Sequence, residues 1–320
     1  MKNGVGMPST LHDLFDAHKR MLWGLAYRLT GCAADADDIV QDTFVRAINR
    51  GCSPNDGSWA PWLVRVATNL AIDVLRRRRR QTYTGPWLPS PIETEPYDEP
   101  QTLKSASGPE MRYQLMESIS FAFLLALEVL TPRQRAVLLL RDVFDYSARE
   151  VGAVLTVSEE NVRITLHRAR RAMRDYDRAK TASPRALQKE TQQVLTRFVR
   201  CLIDQDVAGV ESLLAESVRT ITDGGGEFTA LHQLLIGREK VMQLYLSVAK
   251  RRAGGARTEF CSINGEPAVL IEYAHAEAKQ APRAVMRCQL DQHGLIVELH
   301  TIFATRKLTD VHFARNESPV

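Results

Sequence analysis

The sequence predicts a multidomain chain: two all-α modules joined by a linker, then an α+β domain with a curved antiparallel sheet. Three observations carry this. Apolar residues recur at helical spacing through the first half, broken by one proline-rich stretch. Beyond residue 187, helices give way to segments of alternating apolar residues, the order of an α+β domain. The length of 320 residues exceeds the usual size of one domain.

Leu11, Leu14, Phe15, Leu22, Leu25, Ala26 and Leu29 make 11–30 a helix, capped by Ser9 or Thr10 and stopped at Gly31. A second helix is expected over 34–49, with Ile39, Val40, Phe44, Val45 and Ile48 as its apolar side. GCSPNDGS is a loop rich in turn formers. A third helix runs over 59–80 into five consecutive arginines. Residues 81–109 hold six of the fourteen prolines and no helical period, and read as an extended, mostly mobile linker. Helical spacing returns over 110–130. Thr131 and Pro132 open a helix over 132–144, Ser147 one over 148–155, and Ser158 one over 158–178. Residues 179–186 read as a second linker. Helices are then expected over 187–205, 207–216 and 238–251, and strands over 257–263, 267–274, 282–290 and 295–303. The expected domains are 9–80, 110–178 and 187–304, with linker 81–109 and a tail over 305–320.

Charged residues at 25% and hydrophobic ones at 44% mark a globular chain. No apolar run is long enough for a membrane span, and the N-terminus lacks the apolar stretch of a secretory signal. Cys32, Cys52, Cys201, Cys261 and Cys288 are scattered, with no metal-binding spacing. Neither a disulfide framework nor a metal or cofactor is expected, and a reducing cytoplasm is. The net charge of +4 decides little, but its distribution decides more. Asp35, Asp37, Asp38 and Asp42 form an acidic block, Arg76–Arg80 an unbroken basic run, and Arg163, Arg168, Arg170, Arg171 and Arg174 a second basic stretch. Such clustering points to nucleic acid.

Helix 59–80 combines Trp59, Trp62, Arg65, Asn69, Asp73 and Arg76, of which Trp62, Arg65, Asn69, Asp73 and Arg76 lie on or near one face. Aromatics stack on unpaired bases and arginines neutralise phosphates. Asn55, Asp56 and Ser58 in the preceding loop offer polar groups for a base edge. A solvated helix end with two core tryptophans is the plainer alternative. Downstream, two helices joined by a short turn read as a helix-turn-helix. The second presents Glu160, Asn161, Arg163, Ile164, His167, Arg168 and Arg170, while Val162, Leu166 and Ala169 pack inward. Recognition helices use their first turns for base edges and their flanks for phosphates.

DADDIVQDTFVRAI followed by WAPWLVRVATNLAIDVLRRRRR closely resembles region 2 of the sigma-70 family, in its extracytoplasmic-function group. LTPRQRAVLLLRDVFDYSAREVGAVLTVSEENVRITLHRARRAMR closely resembles region 4. The resemblance covers residues 9–178, with a short linker in place of region 3. It implies a sigma factor, not an enzyme, that directs core RNA polymerase to promoter DNA. It implies that Asp37, Asp38, Gln41, Asp42 and Phe44 dock on the clamp coiled coil of the β′ subunit, with the β flap as a second polymerase contact. An acidic, partly apolar helix suits such a protein surface. The loop 52–58 with Trp59 matches the element that captures a flipped −10 base, and Asn69, Asp73, Arg76 and Arg77 match the helix beside it. A snug polar loop and aromatic packing must offset the unstacking. Arg163, His167, Arg168 and Arg170 match the helix that reads the −35 element. The promoter sequence does not carry over.

The last part of the chain resembles the SnoaL-like, or NTF2-like, cone fold. Gly85-Pro86-Trp87-Leu88-Pro89 in the linker and Asp223-Gly224-Gly225-Gly226 in the tail together resemble the sigma-J-like group, in which a fused cone regulates the factor. That group carries an Asn-Pro-Asp-Lys-Leu stretch after the last strand. Here only Lys307 and Leu308 of it remain, which leaves its role open. A tryptophan between prolines is a preorganised anchor. Three glycines allow close approach and positive φ, and Asp223 can accept hydrogen bonds. Trp87 is therefore expected to dock against the 223–226 turn, a plain hairpin turn being the alternative. Cones also house isomerases and cyclases, for which Asp204, Asp223, His275 and His300 would be the candidates, and a small-molecule ligand in the cone is a further alternative. An anti-sigma partner is not legible in one sequence.

Overall fold

The computed structural model describes residues 11–50, 58–80, 83–94, 118–174 and 184–312. They fall into two compact units.

The first unit begins with a three-helix bundle: α1 (Leu11–Thr30), α2 (Ala33–Arg50) and α3 (Trp59–Arg80). Its core is the apolar stripe expected from the spacing, with Leu22, Leu25 and Leu29 of α1, Ile39 and Ala47 of α2, and Leu63, Ala67 and Ala71 of α3 buried. Next in the chain comes α4 (Phe121–Ala126), whose residues up to Leu125 belong to the second unit. It is shorter than the helix expected over 110–130. The Ser120 hydroxyl accepts from the Phe123 amide and starts the helix there, after a turn at 118–120. Residues 110–117 lie outside the described residues.

A single 3-10 turn (Leu127–Val129) leads to α5 (Pro132–Leu138), which continues as a π-helical turn over Leu139–Val143. α6 (Ala148–Leu155) and α7 (Glu159–Ala172) complete this unit. Their starts are set by side chains. Thr131 with Gln134, and Ser147 with Glu150, form capping boxes, and the Ser158 hydroxyl accepts from the Asn161 amide. The turn between α6 and α7 needs Thr156 in the left-handed region (φ 56°) and Gly152 below it. A Cβ on Gly152 would sit 2.8 Å from the Val157 carbonyl oxygen.

The second unit contains α8 (Pro184–Ile203), α9 (Val207–Leu213), β1 (Leu214–Asp223), β2 (Leu235–Ile236), α10 (Arg238–Arg252), β3 (Arg257–Ile263), β4 (Glu266–Glu272), β5 (Arg283–Leu290) and β6 (Ile296–Ile302). The sheet order is β2-β1-β6-β5-β4-β3. All pairings are antiparallel except β1 with β6, which run parallel. β1 corrects the expected helix over 207–216. Leu213 to Ala215 prolong the apolar run of α9, but the β-branched residues Val218, Thr220, Ile221 and Thr222 fit a pleated strand.

One face of the sheet, with Val269, Ile271, Met286 and Leu299, packs on Phe198, Leu202, Val210 and Tyr245 of the helices. The other face, with Ala268, Leu270, Val285 and Ile302, is covered by Leu88, Phe121, Leu308 and Val311. This corrects the mobile linker in its described part. Residues 83–94 run extended, but Leu88, Pro89, Ser90, Pro91 and Ile92 are buried against the sheet. The described start of the expected tail, 305–312, packs on the same face through Leu308 and Val311.

Asn264 ties this covering layer together. Its φ is 54°, its side-chain oxygen accepts from the Ile92 amide at 3.2 Å, and its side-chain nitrogen donates to the Ile119 carbonyl at 2.8 Å.

Candidate functional site

On α2, Asp37, Asp38, Gln41 and Asp42 are exposed. Asp37 accepts from the Trp23 indole at 2.8 Å. Phe44, expected beside them, turns inward instead and meets the Phe15 ring edge-on at 4.8 Å. The outward apolar residues are Val45 and Ile48, half exposed each. They stand one and two turns beyond Gln41, a spacing the sequence carries.

On α3, Ser58 precedes the helix, and Arg65, Asn69, Asp73, Arg76 and Arg77 form an exposed stripe. Trp59 and Trp62 meet edge-on at 5.6 Å, and the Arg50 guanidinium lies over Trp62 at 5.4 Å. Asp73 pairs with Arg76 at 3.2 Å. Arg65 donates to the Thr156 hydroxyl at 3.3 Å, joining this stripe to the helix-turn-helix. Asn55 and Asp56 lie outside the described residues.

On α7, Glu160, Asn161, Arg163, Ile164, His167, Arg168 and Arg170 all face outward, while Val162, Leu166 and Ala169 are buried. Arg163 is held by Glu159 at 3.0 Å, and Arg170 by both oxygens of Asp142 at 2.7 and 3.0 Å. The pair with Asp142 raises the Arg170 pKa further.

In the second unit, the motifs around Trp87 and Asp223 meet. Asp223 is 1% exposed. One carboxylate oxygen accepts from the Tyr83 hydroxyl at 2.5 Å and the Gly225 amide at 3.0 Å. The other accepts from the Leu88 amide at 2.7 Å and the Lys307 ammonium at 2.5 Å. Lys307 also donates to the Leu88 carbonyl, and its ammonium lies 4.4 Å from the Trp87 ring centre. Pro89, next in the motif, is buried.

The glycines make room for these approaches. A Cβ on Gly224 would stand 2.7 Å from the Phe303 ring, and one on Gly225 2.8 Å from Ala304. Gly225 and Gly226 have φ of 63° and 78°. Lys307 is the site residue that sequence reasoning left open. The signal available was a buried aspartate in need of a counter-charge.

The other candidates for an enzymatic cone stand apart from this contact. Asp204 and His275 are exposed. His300 is fully buried, its Nδ1 accepting from Arg287 at 2.8 Å and its Nε2 lying 2.5 Å from Glu298. Burial lowers its pKa. Burial opposes ionisation of Glu298, but the contacts with His300 and Arg219 outweigh it and hold its pKa at about 2. Phe121 lies over this cluster, 4.5 Å from the Arg287 guanidinium. Among the described residues, no His, Cys, Asp and Glu side chains group as a metal site, and no helix is long and apolar enough to cross a membrane.

A three-helix bundle with an exposed acidic face, joined to a helix-turn-helix, defines the class of sigma-70 factors. Residues 14–81 match the family model for sigma-70 region 2, and residues 120–173 that for sigma-70 region 4. The chain is 33% identical over 258 residues to the ECF RNA polymerase sigma factor SigJ of Mycobacterium tuberculosis, covering 79% of this chain and 78% of that protein. It is 35% identical over 172 residues to SigE of Mycolicibacterium smegmatis, covering 54% of this chain and 63% of that one. The crystal structure of M. tuberculosis SigJ superposes with a TM-score of 0.65 at 26% identity, covering 94% of this chain and 99% of that one. The chain belongs to the extracytoplasmic-function RNA polymerase sigma factors, and its activity is promoter-directed transcription initiation.

Proposed function

We propose that the first unit reads a promoter at two points: the −10 element by α3 with its preceding loop, and the −35 element by α7. The observation that carries this is the pair of exposed stripes. Arg65, Asn69, Asp73, Arg76 and Arg77 line one, and Asn161, Arg163, His167 and Arg168 line the other. Both put side chains that suit bases or phosphates on rigid helices. The acidic face of α2, with Val45 and Ile48, is the docking surface for the polymerase β′ clamp. Region 4 supplies the contact to the β flap.

We further propose that the cone controls this activity in cis through the linker. Leu88 is gripped at both its amide and its carbonyl, by Asp223 and Lys307. A linker held this way cannot change course without breaking buried hydrogen bonds to both members of an ion pair.

The experiment is transcription in vitro by full-length protein and core RNA polymerase on a promoter found by selection. Mutating either promoter element should lower the yield. Trp87→Ala or Asp223→Asn should change the yield on the intact promoter. No change from either substitution, in folded protein, would refute control through this contact.

A further inference from the structure

The hairpin between β3 and β4 turns on two residues, Asn264 and Gly265, with Ile263 paired to Glu266 across it. Both turn residues have positive φ, 54° and 77°, as a tight hairpin of this hand requires. The same dipeptide carries a chemical liability. Glycine has no side chain to keep its backbone nitrogen away from the side-chain carbonyl carbon of the asparagine before it.

In this fold the atoms that would react are all engaged. The Asn264 side-chain oxygen accepts from the Ile92 amide at 3.2 Å, and its Nδ2 donates to the Ile119 carbonyl at 2.8 Å. The Asn264 amide donates to the Ile92 carbonyl at 2.9 Å. The Gly265 amide, which would be the nucleophile, donates to the Thr94 hydroxyl at 2.9 Å, and the Gly265 carbonyl accepts from Gln188 at 2.6 Å. Asn264 is 1% exposed. Ile92 and Thr94 belong to the linker and Ile119 to the turn before α4, so the docked covering layer holds nucleophile and leaving group in place.

We propose that Asn264–Gly265 is a site of one-way modification, deamidation by water, that the docked linker keeps closed. When the linker lifts, the Gly265 nitrogen attacks Cγ of Asn264. The N–Cγ bond forms, the Cγ–Nδ2 bond breaks, and the Gly265 amide proton leaves with Nδ2 as ammonia. The resulting succinimide takes up one water, which opens either of its two C–N bonds. One opening gives aspartate, and the other gives isoaspartate, with the main chain routed through Cγ. Nothing is oxidised or reduced.

Neither product restores the clasp. An aspartate keeps the acceptor for the Ile92 amide but has lost the N–H that met the Ile119 carbonyl, so two acceptors would face each other out of reach of water. Isoaspartate lengthens a two-residue turn by one main-chain atom and shifts Ile263 off Glu266. Each lifting of the linker thus risks a covalent record of it. None of this chemistry depends on how α3 and α7 meet DNA.

The test holds full-length protein in mildly alkaline buffer, digests it with trypsin and follows the products by mass spectrometry. Residues 258–279 come off as one peptide in which Asn264 is the sole amide side chain, so a gain in mass reports this site alone. A synthetic peptide of the same residues gives the unprotected rate. Conversion in folded wild type should be about tenfold or more slower than in the free peptide, and Thr94→Val, which removes the acceptor for the Gly265 amide, should speed it about threefold. Asn264→Asp, which stands in for one product, should speed hydrogen exchange over 88–94 and 119–125 while β5 and β6 stay protected.

Conversion as fast in folded wild type as in the free peptide overturns the protection. A folded Thr94→Val that converts no faster than wild type overturns the linker's part in it. Exchange unchanged by Asn264→Asp overturns the loss of the clasp. If Thr94→Val fails to fold, wild type in sub-denaturing urea decides. Conversion must then rise with exchange of the linker amides, and a rise only with exchange of β5 and β6 overturns the proposal. If Asn264→Asp fails to fold, Thr94→Val aged to conversion takes its place.

Discussion

Lys307 and Asp223, 84 residues apart in sequence, form a buried ion pair of 2.5 Å whose ammonium also holds the Leu88 carbonyl. The carboxylate in turn holds the Leu88 amide. One linker residue is therefore fixed through both its N–H and its C=O by an ion pair from β1 and the segment after β6. Tyr83 and the Gly225 amide satisfy the other carboxylate oxygen, so the aspartate is fully engaged.

Breaking this pair from one side should be costly. Lys307→Met leaves a buried carboxylate without its counter-charge, which typically costs ~3–5 kcal/mol. Combining it with Asp223→Asn should cost less than the two single changes summed, because neither partner is then left charged. Denaturant unfolding followed by a probe in the cone measures all four proteins. Strict additivity would show that the pair is not coupled.

Gly152 is predicted to tolerate no side chain. Its missing Cβ leaves room for the Val157 carbonyl oxygen, which a methyl group would meet at 2.8 Å. Because the obstacle is backbone, the turn itself must shift, at ~1–3 kcal/mol. Gly152→Ala should lower the melting temperature of the first unit. It should also weaken dependence on the −35 element more than on the −10 element, since α7 is aimed by that turn. Equal loss at both elements would count against this.

His300 makes the cone acid-sensitive. Burial holds its pKa below the ordinary histidine value of 6.5. The folded state then binds fewer protons than the unfolded chain. The stability it contributes is complete above about 6.5 and is lost as pH falls below that value. Glu298, held at about 2, loses its contribution in the same direction but only below its usual 4.5. Thermal melts between pH 7 and pH 5 should show a falling transition. His300→Gln should flatten that slope and also shrink the loss below pH 4.5, since His300 is one of the contacts that hold Glu298 ionised. A slope identical in the variant would assign the acid sensitivity to other groups.

The helices were legible because two local signals agreed. Apolar spacing placed α1, α3 and α6, and the serines and threonine before α5, α6 and α7 marked their starts. β1 was not legible, because Leu213 to Ala215 extend the apolar run of the preceding helix before alternation begins. The inward turn of Phe44 was hidden for a related reason. Helical spacing shows that a residue is apolar, not which side of a wide apolar stripe meets Phe15.

The contact between Asp223 and the Trp87 segment was readable as two motifs, but Lys307 as its third member was not. A lysine directly after an arginine reads as surface until a buried carboxylate is placed beside it. Glu128 is the extreme case. Its partner Arg78 is 50 residues away, and no local pattern marks either as one half of a pair.

On α7, the arginines divide by their existing partners. Arg163 is engaged by Glu159 and Arg170 by Asp142, each on the protein itself. Such pairs hold a guanidinium in one orientation before DNA arrives, which reduces the entropy lost on binding. Arg168 is exposed, as is His167 beside it. Arg168 therefore fits a phosphate contact and His167 a base contact, because a phosphate tolerates a mobile cation better than a base edge does. Arg168→Ala should weaken binding to all promoters alike and reduce the slope of log affinity against log salt by about one. His167→Ala should leave the slope unchanged and alter the preferred −35 sequence. Salt titrations on two promoters that differ in one −35 base separate the roles. A sequence-selective loss from Arg168→Ala would make it a base reader and reverse the assignment.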